Sequence, residues 1–284
     1  MSGPGPPYAL HVEILEGHGP PVVFLPGIGA TTRYWRSRIA PLARRASPVL
    51  VDLLGFGKSP KPRIRYSVDR HLDSLEPVLR AEGRPVIVGH SLGAVLALAL
   101  AVRRPRLVRG LILLSLPVFD AEQDTVLGFR KGRSPGGWIA RNMVLTATAC
   151  ILMRRVAGRV LPLVVRDMPR DIVEDLLLHT WRSSTSSLWE VIYRHDVSTD
   201  ALGLSADIPV HLLHGDRDGT APVDKVLDLA RRRADWRMQV LPGVDHHPLL
   251  QASDASLRFI EEALGAIYDG PPRPSHHPLE EENP

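Results

Sequence analysis

Cysteine is nearly absent from this sequence of 284 residues, which has one, at position 150. A single cysteine cannot form an intramolecular disulfide, so the chain is not a small module held together by disulfides. The composition fits a reducing compartment, and we expect a cytoplasmic protein.

Long apolar runs are also missing. The longest extends from about Met143 to Met153 and falls far short of the ~20 residues that a membrane span needs. The first residues have neither a basic start nor an apolar stretch of signal-peptide length. We therefore expect no stable membrane insertion.

The sequence also lacks a strong excess of one charge. The 35 basic side chains exceed the 31 acidic ones by only four, which does not indicate a nucleic-acid partner. Apolar residues make up 44% of the chain and charged residues 23%, the composition of an ordinary globular protein. We expect a small-molecule ligand, and the composition leaves monomer and homodimer open.

Short apolar runs alternate with longer helical patterns along the chain. Continuous apolar strands are typical of a parallel sheet covered on both faces, and strand–helix repetition predicts a doubly wound α/β fold. The alternating segment Ala9–Leu15 predicts an antiparallel edge strand. The other predicted strands are Val22–Leu25, Val49–Leu53, Val86–Gly89, Arg109–Leu114, Val210–His214 and Met238–Leu241. The predicted helices are Tyr34–Arg45, Asp69–Glu82, Leu92–Arg103, Val223–Arg233 and Ser256–Ile267.

One long interval interrupts this alternation and divides the chain. Residues 118–200 contain no clear strand and predict a helical cap, inserted after the sixth strand. The α/β core then comprises residues 8–117 and 201–268. The flanking residues 1–7 and 269–284 are predicted to be disordered tails, because the C-terminal one is rich in proline and polar residues.

The predicted cap carries a basic segment. Residues 129–170 hold nine lysines or arginines and one aspartate. Such a segment attracts an anionic substrate or a membrane surface, or it is simply a solvated helix face. Trp138, Trp181 and Trp189 either shape an apolar pocket or form the core of the cap.

The strongest local motif is Gly89-His90-Ser91-Leu92-Gly93, which follows an apolar strand and opens a helix. A sharp strand-to-helix turn at G-x-S-x-G strains the serine and lifts its hydroxyl clear of the sheet. The glycines allow the strand and helix to approach, and the helix N-terminus favours negative charge beside Ser91.

With this motif the sequence resembles the α/β-hydrolase fold family, from about residue 8 to residue 268. The family's catalytic triad follows the chain order serine, acid, histidine, which implies that Ser91 is the nucleophile. A serine hydroxyl needs a base to take its proton and an acid to orient that base.

The resemblance selects the acid in the loop after the strand Val210–His214. The stretch Gly215–Pro222 is similar to the family's G-x-x-D-x-x-x-P loop and selects Asp218. Asp216 is the competitor, better suited to holding the turn through backbone N–H groups. Asp120, after an earlier strand, is a third candidate.

The base is selected in the same way after the last strand. The family has G-H-x-P there, and Asp245-His246-His247-Pro248 selects His246. His247 falls on the variable position and is predicted to lie at the surface or against the lid. Asp245 replaces the usual glycine, and either raises the imidazole pKa or caps the following helix.

Two backbone N–H groups are expected to form the oxyanion hole. One belongs to Leu92, and the other to Ile28 in the stretch Leu25–Gly29, which looks like the family's H-G-x-G loop. Pro26 stands where the family has histidine, so a side chain that normally braces the loop is missing.

Two other glycine patterns point to nucleotides only weakly. Gly27-x-Gly29 with Asp52 resembles a dinucleotide fingerprint, but Thr32 occupies its third glycine position. The stretch Gly55–Ser59 ends like a P-loop, yet Asp52 stands where the first glycine belongs. Asp52–Ser59 instead resembles the family's D-x-x-G-x-G-x-S loop beside the active site.

The resemblance therefore implies a serine hydrolase that cleaves a carboxylic ester or thioester of an apolar acid through an acyl-enzyme. Such an enzyme is expected to need no metal or organic cofactor. A C–C bond hydrolase and a cofactor-free haloperoxidase or perhydrolase use the same triad and remain alternatives. A non-catalytic ligand-binding protein on the same scaffold is the third.

Overall fold

A seven-stranded sheet organises the chain in the computed structural model, which describes residues 8–119, 174–175 and 178–270. The strand order is β1-β3-β2-β4-β5-β6-β7. Only β1 runs antiparallel, against β3. The strands are β1 Val12–Ile14, β2 Pro21–Leu25, β3 Ser47–Val51, β4 Val86–His90, β5 Gly110–Leu114, β6 Val210–Gly215 and β7 Arg237–Leu241. The predicted α/β sheet with its antiparallel edge is confirmed, with small shifts at the strand ends.

The helices connect these strands. The α-helices are α1 Arg33–Arg36, α2 Val68–Ala81, α3 Leu92–Arg103, α4 Trp181–Ser187, α5 Val197–Gly203, α6 Val223–Arg232, α7 Pro248–Gln251 and α8 Ser253–Tyr268. Short 3₁₀-helices span Ala40–Arg44 and Pro105–Leu107, and a π-helix spans Leu188–Tyr193. Within the described ranges, no helix is long and apolar enough to cross a membrane.

One predicted helix is wrong. The single helix predicted over Tyr34–Arg45 is divided into α1 and the 3₁₀-helix that begins at Ala40. Pro41 lies at the start of the second piece. A proline inside an α-helix lacks the N–H for the i→i−4 bond and clashes with the preceding turn, so the helix cannot continue through it.

Both faces of the sheet are covered, which explains the continuous apolar strands. On β2, Val23 and Leu25 join one hydrophobic cluster, while Val22 and Phe24 join the other. Side chains alternate across a strand, so a strand buried on both sides needs apolar residues at every position. Helix α3 is buried along Leu92–Ala101 between the sheet and its neighbours.

Serine side chains of helix α4 form hydrogen bonds with the core. The Ser183 hydroxyl donates to the Gly55 carbonyl at 2.8 Å, and Ser186 Oγ accepts from the Tyr66 N–H at 2.8 Å. On α2, His71 Nε2 lies 3.1 Å from Ser187 Oγ. This part of the predicted cap is therefore attached to the core by buried polar contacts.

The cap boundaries 118–200 stay a prediction, because most of the interval lies outside the described residues. The same holds for the basic segment 129–170, for Asp120, Trp138 and Cys150, and for most of both predicted tails. One detail is corrected: among the described residues, the interval begins after the fifth strand, β5, and not after a sixth. In the described part, a single strand, β1, precedes β2.

His71 makes the stability of the fold sensitive to acid. Burial lowers the pKa of His71 to about 4, whereas an unfolded chain titrates near 6.5. The unfolded state therefore binds the proton first, and stability falls as the pH drops from about 6.5 toward 4. At about 1.4 kcal/mol per pH unit, the loss approaches 3 kcal/mol.

Urea unfolding at several pH values tests this assignment. The free energy of unfolding is expected to depend less on pH in His71→Gln than in the wild type. The exposed His18 supplies the control His18→Gln, and equal slopes for all three proteins would contradict the assignment.

Candidate active site

Ser91 lies in the turn between β4 and α3. Its backbone has φ 50° and ψ −115°, so the predicted strained conformation is present. A Cβ on Gly89 would lie 2.6 Å from the Gly93 carbonyl oxygen, and one on Gly93 would collide with the Leu25 carbonyl. Both glycines are therefore required by the close packing of β2, β4 and α3.

Ser91, His246 and Asp218 form one hydrogen-bonded chain. His246 Nε2 lies 2.9 Å from Ser91 Oγ, and His246 Nδ1 lies 2.8 Å from Asp218 Oδ2. A carboxylate only accepts, so Nδ1 carries the proton and Nε2 accepts from the serine hydroxyl. All three residues are at least nine-tenths buried. This geometry allows His246 to take the proton of Ser91.

Asp218 is held as a carboxylate. Burial alone would raise the pKa of Asp218, but hydrogen bonds from His214 and His246, the charge of His246 and the Ala221 N–H hold that pKa well below its usual value. Its Oδ1 accepts from the N–H groups of Thr220 at 2.9 Å and Ala221 at 2.7 Å. The acid is therefore ionised at neutral pH.

His214 is a contact of the acid that the sequence analysis missed. Its buried Nε2 donates to the Ala221 carbonyl at 2.7 Å and lies 3.3 Å from Asp218 Oδ2. The available signal was its place at the end of β6, four residues before the acid. His214 thus holds both the carboxylate and the loop that carries it.

Two further aspartates join the acid loop to the base loop. Asp216 Oδ1 accepts from the Gly243 N–H at 2.6 Å, so it binds backbone, as predicted, but across to the base loop. Asp245 Oδ1 accepts from the His246 N–H at 2.7 Å and the Gly219 N–H at 3.3 Å. Asp245 does not cap the next helix, α7, whose N-terminus has no side-chain cap.

The loop after β2 lies against the nucleophile turn. A Cβ on Gly27 would come within 2.9 Å of His90 Nδ1 and 3.3 Å of Ser91 Cβ. Neither the Ile28 N–H nor the Leu92 N–H donates to another residue that the structure describes. Both expected donors therefore lie near Ser91, and neither has a backbone acceptor among the described residues.

Asp52 and Asp175 brace this loop in the absence of the usual histidine. Asp52 Oδ1 accepts from the Thr32 N–H and its Oδ2 from the Lys58 N–H, each at 2.7 Å. The buried Asp175 accepts from the Thr31 hydroxyl and the Arg33 guanidinium. The Asp52 carboxylate is thus occupied by the protein's own backbone, as expected of a structural loop.

Two histidines beside His246 are neutral at pH 7. Burial holds the pKa of His90 well below its usual range and lowers that of His247 to about 4. The His90 ring stacks on Tyr34 with 5.0 Å between centroids, and its Nε2 donates to the His246 carbonyl at 2.8 Å. His247 lies 5.3 Å from the His246 ring, is partly buried and lines the same cavity as Leu188 and Ile192 of the predicted cap, so of the two positions predicted for it the structure favours the one against the lid.

A cavity of about 170 Å³ opens onto Ser91. His246, His247 and the residues Gly27, Ile28 and Ala30 of the loop after β2 line part of it. Another part, called the apolar wall below, is formed by Pro117, Phe119, Leu188, Ile192 and Tyr193, of which Tyr193 also carries a hydroxyl. Sequence reasoning missed these residues, because the π-helix that supplies three of them has no recognised sequence signal.

Of the three tryptophans that could shape a pocket or form the core of the cap, the two that the structure describes, Trp181 and Trp189, do not line this cavity. Trp181 is 41% exposed, and Trp189 packs edge-on against Tyr193, with 5.4 Å between ring centroids. Trp189 therefore supports a wall residue and does not itself face the site.

Comparison with known proteins gives one consistent result. A sequence model of the Alpha/beta hydrolase family matches residues 22–260. The chain is 28% identical to a probable lysophospholipase, BODYGUARD 1 of Arabidopsis thaliana, over 79% of its own length and about half (54%) of that protein. It is 38% identical over 104 residues to the 2-hydroxy-6-oxo-6-(2'-aminophenyl)hexa-2,4-dienoic acid hydrolase of Metapseudomonas resinovorans, covering 34% of this chain and 36% of that one. A solved carboxylesterase structure from Nitrososphaera gargenis superposes with a TM-score of 0.74 at 17% identity, covering 95% of this chain and 98% of that one, which shows a shared fold.

Proposed function

This chain belongs to the alpha/beta hydrolase family, and we propose that it is a serine hydrolase that cleaves a carboxylic ester or thioester. One observation supports this most: a buried chain of hydrogen bonds leads from Asp218 through His246 to Ser91 at the edge of an apolar cavity. The proposed partner is a small acyl substrate. The name of the Arabidopsis relative, a probable lysophospholipase, indicates ester hydrolysis for that protein.

The first half of the proposed reaction transfers the acyl group to the enzyme. Ser91 Oγ attacks the carbonyl carbon while His246 Nε2 accepts the hydroxyl proton. The N–H groups of Ile28 and Leu92 stabilise the oxyanion. His246 then donates its proton to the leaving oxygen or sulfur, the bond to that atom breaks, and the acyl group remains on Ser91.

The second half releases the acid. His246 removes a proton from water, the hydroxide attacks the acyl carbonyl, and the proton returns to Ser91 as its bond to the acyl group breaks. Asp218 stays ionised throughout and stabilises the imidazolium. The neutral His90 and His247 add no positive charge beside it.

A second candidate is hydrolysis of a carbon–carbon bond. The Metapseudomonas relative acts on a 6-oxo dienoic acid, and such a ketone has no ester bond to cleave. The same nucleophile and base serve both reactions, so the substrate decides between them.

A substrate panel separates these functions. We expect the wild type to hydrolyse p-nitrophenyl esters or acyl thioesters, and Ser91→Ala to lose that turnover. Turnover of a 2-hydroxy-6-oxo-dienoic acid alone would establish the second candidate. Ser91-independent turnover, or none with any substrate by the folded protein, would contradict a serine hydrolase and favour a binding protein.

His214 is expected to act as a positioning residue for Asp218. The variant His214→Leu removes the donor from the carboxylate and from the Ala221 carbonyl, and we expect kcat to fall about tenfold with little change in KM, for a loss of about 1.4 kcal/mol. His214→Gln keeps an N–H donor and is expected to recover part of that loss. Thermal unfolding of both variants serves as the control. If His214→Leu and His214→Gln are equally stable and lose the same activity, the hydrogen bond from His214 to Asp218 is irrelevant to catalysis.

A further inference from the structure

The size of the cavity restricts what it can hold. Its volume of about 170 Å³ is close to the roughly 150 Å³ of an apolar cavity that binds benzene. Pockets that enclose drug-sized ligands measure about 300–1,000 Å³. A group of six to eight carbon atoms therefore fills the space beside Ser91, and a chain twice that long does not fit within it.

The chemistry of the wall is equally restrictive. Leu188 and Ile192 lie four positions apart on the π-helix, and Phe119 and Pro117 come from the segment after β5. These four side chains line the cavity with carbon and hydrogen only, and Tyr193 adds a ring with one hydroxyl. An apolar hydrocarbon group gains free energy there by leaving water, whereas a charged or hydroxylated group loses its hydration against the four hydrocarbon side chains.

The segment that carries the apolar wall is packed against the hydrophobic core. Val191 and Ile192 are buried at 0% and 8% exposure, and Tyr193 packs against both Phe119 and Trp189. Closely packed interiors resist expansion, because a larger occupant forces side chains off their preferred rotamers. An acyl group longer than the cavity must therefore displace these side chains or leave its extra carbons in solvent, and in neither case do those carbons gain the free energy of burial.

We propose that this cavity is the acyl site and that it selects esters of short to medium-length or aromatic acids, with six to eight carbons in the acyl group, over long-chain esters. The inference rests on the proposed hydrolase activity and deepens it. Leu188 and Ile192 are then the residues that determine acyl length.

Chain-length profiles test this directly. With p-nitrophenyl esters of two to sixteen acyl carbons, kcat/KM is expected to rise about fourfold per methylene until the cavity is full, at six to eight carbons, and to fall beyond. Leu188→Ala removes three carbon atoms from the wall, and we expect the optimum to shift two to three carbons longer. Ile192→Val removes one methyl group and is expected to give a smaller shift in the same direction. Leu202, 42% exposed on α5, supplies the matched control Leu202→Ala, with an unchanged profile.

The outcomes separate this inference from the proposed function. Ser91-dependent turnover that keeps rising to twelve or sixteen carbons would overturn the size limit and leave the hydrolase intact. An optimum that stays in place in both wall variants would overturn the role of Leu188 and Ile192. Absence of turnover at every length would overturn the hydrolase itself and this inference with it.

Discussion

Replacing Ser91 with alanine is expected to lower kcat/KM for an activated ester by at least about 10⁴-fold. The Oγ atom is the proposed nucleophile, and no other hydroxyl is within hydrogen-bonding distance of His246 Nε2 among the described residues. Alanine keeps the Cβ and the backbone conformation of serine, so the thermal unfolding midpoint is expected to stay within a few degrees. Stopped-flow or plate-based ester hydrolysis, with active protein quantified by its folded fraction, measures the effect.

Ser115 supplies a matched control for this variant. It also follows a central parallel strand with a positive φ, 49°, and it is fully buried. Its hydroxyl has no hydrogen-bond partner in the described part of the chain. Ser115→Ala is expected to keep kcat/KM within about twofold. Residual turnover in Ser91→Ala comparable to that of Ser115→Ala would remove Ser91 from the reaction.

Replacing Asp218 with asparagine is expected to lower kcat by about 10⁴-fold while leaving the fold in place. An asparagine amide can donate to His246 Nδ1, which moves the imidazole proton to Nε2. In that tautomer Nε2 no longer accepts the proton of Ser91. The loss is expected mainly in kcat, since the cavity and its apolar wall are unchanged.

Asp216 is the appropriate comparison, because it is the other acid of the same loop. Its carboxylate binds the Gly243 N–H and makes no contact with the imidazole. Asp216→Asn is therefore expected to change kcat only a fewfold, through the loop geometry. A larger loss in Asp216→Asn than in Asp218→Asn would contradict the assignment of the acid.

Much of the site was predictable because its determinants are local in the sequence. The elbow around Ser91 needs two glycines and a strand–helix junction, and all of these occur within a few residues. The acid and base follow the ends of β6 and β7, and the carboxyl ends of parallel strands meet at one edge of the sheet. Chain order and strand assignment placed the candidates at one edge, and the resemblance of the two loops to the family's motifs selected Asp218 and His246 to join Ser91.

The remaining features depend on contacts between distant segments. Asp175 contacts the loop after β2 from a position more than 140 residues away in sequence. Neither segment contains a sequence motif that predicts this contact. The π-helix that places Leu188 and Ile192 in the cavity has no recognised sequence signal. The break near Pro41, in contrast, was predictable, because a proline in the sequence indicates that an α-helix does not continue through it.

The most direct test of the catalytic serine is its reaction with a fluorophosphonate, followed by peptide mass mapping of the native protein. A nucleophile activated as the geometry indicates is expected to form one adduct, on the peptide that contains Ser91, with labelling abolished in Ser91→Ala and slowed in Asp218→Asn. A folded protein that forms no adduct, or forms it on a different residue, would contradict the account.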